Sequence, residues 1–253
     1  KREGFEHKTQ GTLFFDVVRI LKHHKTKMIL LENVPGLITH NNGNTFSVIK
    51  DVLENELGYE IFYKVINASE HGVPQERKRI YIVGFLKDAY DKDIQFEWPE
   101  VNEGHTYINQ YLEDHPIGYG ISTHLQNNYL FKKDDGRPQI INKNTKVKVK
   151  TLLASYHKIQ RLTGTFVLDG ETGLRLLSEN ECKAIMGFPK DFKVPVSRTQ
   201  MYRQFGNSVA VPIVEKIVKQ VLAASKKSSI KNKTKIKIRD SFNHIPEQAQ
   251  TNI

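Results

Sequence analysis

The segment MILLENVPGL, residues 28–37, runs four apolar residues, Met28 to Leu31, directly into Glu32 before Asn33, Pro35 and Gly36 close it. A short apolar run bounded by turn residues reads as a buried strand, and open α/β sheets bind ligands outside the carboxyl ends of their strands. Glu32 therefore stands where a site belongs. A carboxyl group at the rim of a dry pocket is kept protonated near neutral pH by desolvation, and then donates a hydrogen bond to a substrate. The plainer alternative is a carboxylate that caps a turn or pairs with a surface lysine. A second set lies in VPQERKRIYIV, where Arg77 and Arg79 are two apart at the start of another strand, so both side chains leave on one face. Their fixed forks of donors suit an anionic or carbonyl-bearing substrate, although R-x-R is equally the pattern of a salt-bridged surface. The third set is FGNSVAVP, residues 205–212, a Gly-Asn-Ser turn that opens a helix. Backbone N–H groups and small polar side chains there hold a carboxylate or phosphate, unless Asn207 or Ser208 serves only as the helix cap.

The elements that must position these residues are legible from periodicity. Leu13, Phe14, Val17, Val18 and Leu21 repeat at helical spacing, KMILL is the first strand, and Phe46, Ile49, Val52, Leu53 and Leu57 form a second helical stripe ending at Gly58. EIFYKVINA and RIYIVGFL are two more strands. This alternation predicts an α/β sheet covered on both faces up to about residue 86. From 97 to 174 prolines, glycines and asparagines break the pattern into short apolar runs, as in an irregular, strand-poor insertion. SENE at 178–181 is a capping box, with Cys182, Ile185 and Met186 on one face behind it. A last helix carries Ile213, Val214, Ile217, Val218, Val221 and Leu222 and needs a sheet to pack on. The expected organisation is a catalytic α/β domain over 1–96, an insertion over 97–174, a return to the first domain over 175–224 and a tail over 225–253.

Composition narrows the partners. At 253 residues and 38% hydrophobic content the chain is long enough for a core, and it shows neither an apolar run of membrane length nor a signal-peptide pattern, so a cytoplasmic location is expected. The single cysteine, Cys182, excludes an intrachain disulfide and a cysteine zinc cluster; no metal site is expected. The formal net charge of +10 is uneven: residues 132–161 hold nine Lys/Arg against two Asp, and 225–253 hold seven Lys/Arg against two acids. The tail reads as a solvated, disordered extension, whereas the internal cluster, set among strand-like and turn-like patterns, reads as a nucleic-acid footprint.

Taken in order, GFEHKTQGTLFFDVVRIL, LLENVPGL, VPQERKRIYIVGF, RLLSENECKAIMGFP and YRQFGNSVAVPIVEKI resemble the bacterial cytosine-5 DNA methyltransferases of restriction-modification systems. The resemblance implies the second half of a Rossmann-like, S-adenosylmethionine-dependent methyltransferase sheet, joined to a smaller target-recognition domain. In that family a cysteine thiolate adds to C6 of a cytosine flipped out of duplex DNA, which makes C5 nucleophilic toward the methyl group of S-adenosylmethionine. By position, Glu32 would bind the N3 and N4 edge of the base, Arg79 would donate to its O2, and Arg77 would support Arg79 and the loop that carries the nucleophile. Leu13, Asn207, Ser208 and Val209 would line the pocket of the methyl donor. The recognition domain would be residues 97–174, whose Thr151-Leu152 pair precedes ASYHKIQR. Thr151, Ser155, Tyr156, His157, Lys158, Gln160 and Arg161 are then the expected groove or phosphate contacts by side-chain type.

Two family features do not occur in these residues. The nucleophile's Pro-Cys-Gln motif lies shortly before the GFE stretch in the family, and the glycine loop for the donor lies earlier still; Cys182, placed on a capped helix, reads as buried packing. The expected partners are therefore double-stranded DNA and, in one reading, a second polypeptide supplying the remaining catalytic segment; the others are a partial copy of a full enzyme and a non-catalytic DNA-binding remnant. Residues 1–253 alone are expected to transfer no methyl group. A related family branch modifies transfer RNA, but the long basic insertion favours duplex DNA.

Overall fold

The computed structural model describes residues 12–101 and 104–228. The GFEHKTQ stretch and most of the basic tail lie outside the described residues.

Helix α1 (Thr12–His24) leads into strand β1 (Met28–Asn33), which is followed by a one-turn helix α2 (Gly36–Thr39) and helix α3 (Asn44–Asp51). A wider final turn over Val52–Glu56, closed by Leu57 N–H donating to Val52 O at 2.9 Å, ends at Gly58, whose φ of +74° only glycine adopts without strain. Strands β2 (Tyr59–Asn67) and β3 (Lys78–Leu86) complete a three-stranded sheet in the order β1-β3-β2, with β3 antiparallel to both neighbours. The register pairs Glu32 with Tyr81 and Asn67 with Lys78, so the carboxyl ends of β1 and β2 and the beginning of β3 share one rim.

Alternation along β3 divides the core. Ile80 and Ile82 meet Leu21 of α1, Ile29 of β1, and Phe46, Ile49 and Leu53 of the α3 region on one face. Tyr81, Val83 and Phe85 meet the opposite cluster, to which α7 (Val211–Lys227) contributes Ile213, Ile217 and Val221. Ile80, Val83, Phe85 and Leu53 are fully buried, each stabilising the fold by roughly 1.5–3 kcal/mol through apolar area removed from water.

A second core lies in the irregular part. Strands β4 (Gln139–Ile141) and β5 (Thr165–Val167) are three residues each and parallel, and α4 (Thr123–Leu125) is a single turn capped by Ser122. Ile108, Leu130, Ile141, Val149, Phe166 and Leu177 close this core together with Cys182, Ile185 and Met186 of α5 (Glu179–Met186) and Met201, Tyr202 and Phe205 of α6 (Arg198–Asn207). The stretch 175–207 thus packs with the insertion that precedes it, and α7 alone among the last three helices rejoins the sheet. An apolar stripe announces that a helix has a partner but not which partner, so the sequence placed this return too early. The junction is fixed by Gly187, at φ +74°, where an added Cβ would lie 2.3 Å from Pro212 Cδ.

Polar side chains do the work of missing sheet in this core. Arg175, 1% exposed, donates through Nη1 and Nη2 to both oxygens of Glu181 at 2.9 Å, through Nε to Asp169 at 3.0 Å, and to the carbonyls of Glu113 and Leu176. Glu181 completes the expected capping box by accepting from Ser178 N–H at 2.7 Å. Among the described residues no helix is long and apolar enough to cross a membrane.

Candidate active site

At the shared rim, Glu32 and Arg79 form an ion pair, Nε to Oε1 at 3.0 Å, with both side chains partly buried. Arg79 also donates through Nη1 to Lys78 O at 2.7 Å. Among the described residues Oε2 of Glu32 and Nη2 of Arg79 have no hydrogen-bond partner in the protein. They leave a carboxylate acceptor and guanidinium N–H donors open at the same ion pair, which suits a planar ligand edge that presents both an acceptor and a donor. The alternative of a surface lysine partner for Glu32 gives way to this pairing.

Arg77 does something else. It is 2% exposed and donates to three carbonyls, Leu152 O at 3.3 Å, Gly206 O at 3.1 Å and Ser208 O at 2.5 Å. Burial pulls its pKa down to about 10, assisted by the positive charge of Arg79 and opposed by Glu32. It ties the rim to the backbone at Leu152 and to the 205–212 stretch at once. The loop before it is braced by Asn67, whose Oδ1 accepts from Arg77 N–H at 3.0 Å and whose Nδ2 donates to Glu76 at 2.5 Å.

The 205–212 stretch is built differently from a turn that opens a helix. Gly206 and Asn207 are the last residues of α6, Ser208 caps that helix by donating Oγ to Phe205 O at 2.9 Å, and α7 starts only at Val211 behind Ala210, which offers no side-chain cap. Gly206 is required by close approach: a Cβ there would lie 2.2 Å from Ala154 N. Asn207 is exposed, and Ser208 and Val209 are half-buried in the link between the two helices. Leu13, at the start of α1, is 66% exposed.

The expected contacts in the recognition segment separate into two groups. Tyr156 is buried, donating its hydroxyl to Thr165 O at 2.5 Å and accepting from Leu177 N–H at 3.1 Å, between the rings of Phe166 and Tyr202; burial pushes its pKa well above the phenol range. Arg161 is buried too, its guanidinium spent on Asp135 and on the carbonyls of Leu130 and Lys133. Neither is a groove or phosphate contact in this conformation, and the reason is common to both: a core without continuous sheet needs polar struts. Thr151 donates its hydroxyl to Glu76 O at 2.5 Å. Among the described residues Lys158 is exposed and makes no ion pair, Ser155 and Gln160 are hydrogen-bonded to each other at 3.3 Å, and His157 keeps a buried Nδ1 without a partner. Lys132, Lys133, Arg137 and Lys146 are likewise exposed without an ion pair among the described residues.

Two residues escaped sequence reasoning. Gln75, fully buried, donates to Ile185 O and accepts from Leu152 N–H, both at 2.9 Å, joining the rim loop to α5 and the backbone at Leu152. Tyr81 is 2% exposed on the Glu32 and Arg79 face, and burial, reinforced by Glu32, pushes its pKa up to about 12. Its signal was present in the R-x-R-x-Y spacing, which puts residues 77, 79 and 81 on one side of the strand. Cys182 is fully buried, and burial followed by the charge of Glu181 pushes its thiol pKa far up.

The profile of the C-5 cytosine-specific DNA methylase family matches residues 1–223. The chain is 59% identical over 226 residues to the type II methyltransferase M.MspI of Moraxella sp, covering 89% of this chain and 53% of that protein. It is 60% identical over 218 residues to M.BsuFI of Bacillus subtilis, covering 86% and 52%. The chain thus spans about half the length of these relatives. Among solved structures, the Entamoeba histolytica methyltransferase EhMeth superposes with a TM-score of 0.66 at 23% identity, over 83% of this chain and 68% of that one. The S. pombe Dnmt2 methyltransferase does so at 0.65 and 20% identity, over 83% and 71%. At such identities the likeness speaks to the fold.

Proposed function

We propose, since the chain belongs to the C-5 cytosine-specific DNA methylase family, that it forms the base-binding and target-recognition part of an enzyme that methylates C5 of a cytosine in duplex DNA within a restriction-modification system. The observation that carries this reading is the Glu32–Arg79 pair at the rim, 3.0 Å apart with one acceptor and one donor left open. A cytosine edge presents O2 as acceptor and the N4 amine as donor on either side of N3. Arg79 would donate to O2, while Glu32 would engage N3 and N4 and favour a proton on N3 as a nucleophile adds at C6. That proton withdraws the electron density released by the addition and holds the base in the geometry C5 needs. Arg77 would act through position alone, by holding the 152 and 206–208 backbone against the rim.

The residues proposed for S-adenosylmethionine suit its chemistry by type: an exposed apolar Leu13, a polar exposed Asn207 and a half-buried Ser208 match a ligand with both a ring and a zwitterionic end. When bound, S-adenosylmethionine supplies an electrophilic methyl group. Asn207 would hydrogen-bond it from the 207–209 link that Arg77 fixes, and Leu13 and Val209 would exclude water from it. Cys182 would not supply the thiolate, because it is buried and its thiol pKa is pushed far up. The test is to incubate the intact protein with duplex DNA and tritiated-methyl donor and to digest the product to nucleosides. Label in 5-methyldeoxycytidine supports the assignment; label confined to another nucleoside, or to transfer RNA, removes it.

A further inference from the structure

Asn67, the last residue of β2, stands opposite Lys78 in the register, the residue between Arg77 and Arg79. It is 8% exposed, and both ends of its amide are committed. Oδ1 accepts from Arg77 N–H at 3.0 Å and from Ser69 N–H at 3.4 Å, while Nδ2 donates to Glu76 Oε2 at 2.5 Å. The other oxygen of Glu76 accepts from Ser69 Oγ at 3.2 Å. A carboxylate only accepts, so Glu76 selects which end of the amide faces it and sends Oδ1 to the backbone of Arg77. Without that carboxylate the amide is free to turn over, and Nδ2 would then meet the Arg77 N–H, donor against donor.

Glu76 is also where the 148–152 stretch meets the sheet. Its N–H donates to Val149 O at 2.9 Å, Val149 N–H donates to Pro74 O at 2.8 Å, and Thr151 Oγ1 donates to Glu76 O at 2.5 Å. Lys148 Nζ donates to Ser69 Oγ at 3.2 Å and lies 3.8 Å from Glu76 Oε1. The Glu76 side chain is 47% exposed, so this ion pair adds little stability; what the carboxylate supplies is direction. We infer that Glu76 is a positioning residue: through Asn67 it fixes the backbone at Arg77, and with it the aim of Arg79 at the base, two residues along β3. This rests on the base-binding reading of Arg79 above and adds to it the group that aims the arginine. A misplacement of about 1 Å at a reacting site costs as much as roughly 10²-fold in rate, so loss of the brace is expected in turnover rather than in binding.

The intact protein is assayed for tritiated-methyl incorporation into 5-methyldeoxycytidine, with kcat and the KM values for duplex DNA and donor, beside thermal unfolding. Asn67→Asp sets two carboxylates against each other, and Glu76→Ala releases the amide. Each is expected to lower kcat by roughly 10- to 100-fold while both KM values hold within about threefold and the protein stays folded at the assay temperature. Asn67→Asp combined with Glu76→Gln reverses the bond: the new amide donates to the new carboxylate, whose other oxygen still accepts from Arg77 N–H. For that pair kcat is expected to return to within about threefold of the wild type. Single variants at the wild-type kcat, or a double variant no better than Asn67→Asp, overturn the inference, as does a loss that follows unfolding or appears in KM alone. A wild-type protein that labels no deoxycytidine overturns the base-binding reading, and this inference with it.

Discussion

The rim of the sheet and the irregular core use the same residue types for opposite ends. At the rim, backbone polarity is satisfied by strand pairing, so Glu32 and Arg79 are free to face outward with an open acceptor and donor. In the irregular core the strands are three residues long, and Arg161 and Arg175 turn inward to satisfy carbonyls that a ladder would otherwise have served. Regular structure leaves polar side chains available for ligands; irregular structure consumes them.

The sharpest way to break this contrast is at Arg175. Arg175→Met strands Glu181, which is fully buried, and should cost about 3–5 kcal/mol in urea unfolding, whereas Arg79→Met at the rim should cost under about 1 kcal/mol. Equal effects would mean that the two arginines do the same job. Gly206→Ala comes next: its Cβ meets backbone that has nowhere to move, and a loss of about 2 kcal/mol or more of unfolding free energy is expected from the same titration. A neutral Gly206→Ala would show that α6 is not packed on residues 153–154.

The sheet was legible because period-2 and period-3.6 patterns report directly on which face is buried; β1, β2, β3 and the α3 stripe stand within a residue or two of where those patterns end, and α1 runs three residues past its last apolar position. Glu32 and the R-x-R pair were legible for the same reason, as polar breaks in an apolar rule. Tyr156 and Arg161 were not, because their types suit a DNA groove equally well as a core that lacks ladder hydrogen bonds, and nothing local distinguishes these. Gly206 was visible as a glycine but read as a turn, since a close approach between residues far apart in sequence leaves no local trace.

Two smaller effects sharpen the comparison. Cys182 should react with a disulfide probe on the unfolding timescale only: its raised pKa keeps it a thiol through pH 8–9, and burial excludes the reagent, so stopped-flow labelling that matches an exposed thiol would place it at a surface instead. Lys158→Gln should leave unfolding unchanged within about 0.5 kcal/mol while lowering the slope of log affinity against log salt by about one, in fluorescence titrations with a duplex. Arg161→Gln should do the reverse, costing stability through Asp135 and two stranded carbonyls.

The most direct test of the rim is Glu32→Gln in the intact protein, measured as tritiated-methyl incorporation into duplex DNA beside donor and DNA affinity. The amide keeps the shape of the carboxylate but cannot favour a proton on the base, so incorporation should fall by roughly 10²- to 10⁴-fold while both affinities hold within a few-fold. Incorporation by Glu32→Gln at the wild-type rate would contradict the account, because the one open acceptor at the strand end would then have no part in the chemistry.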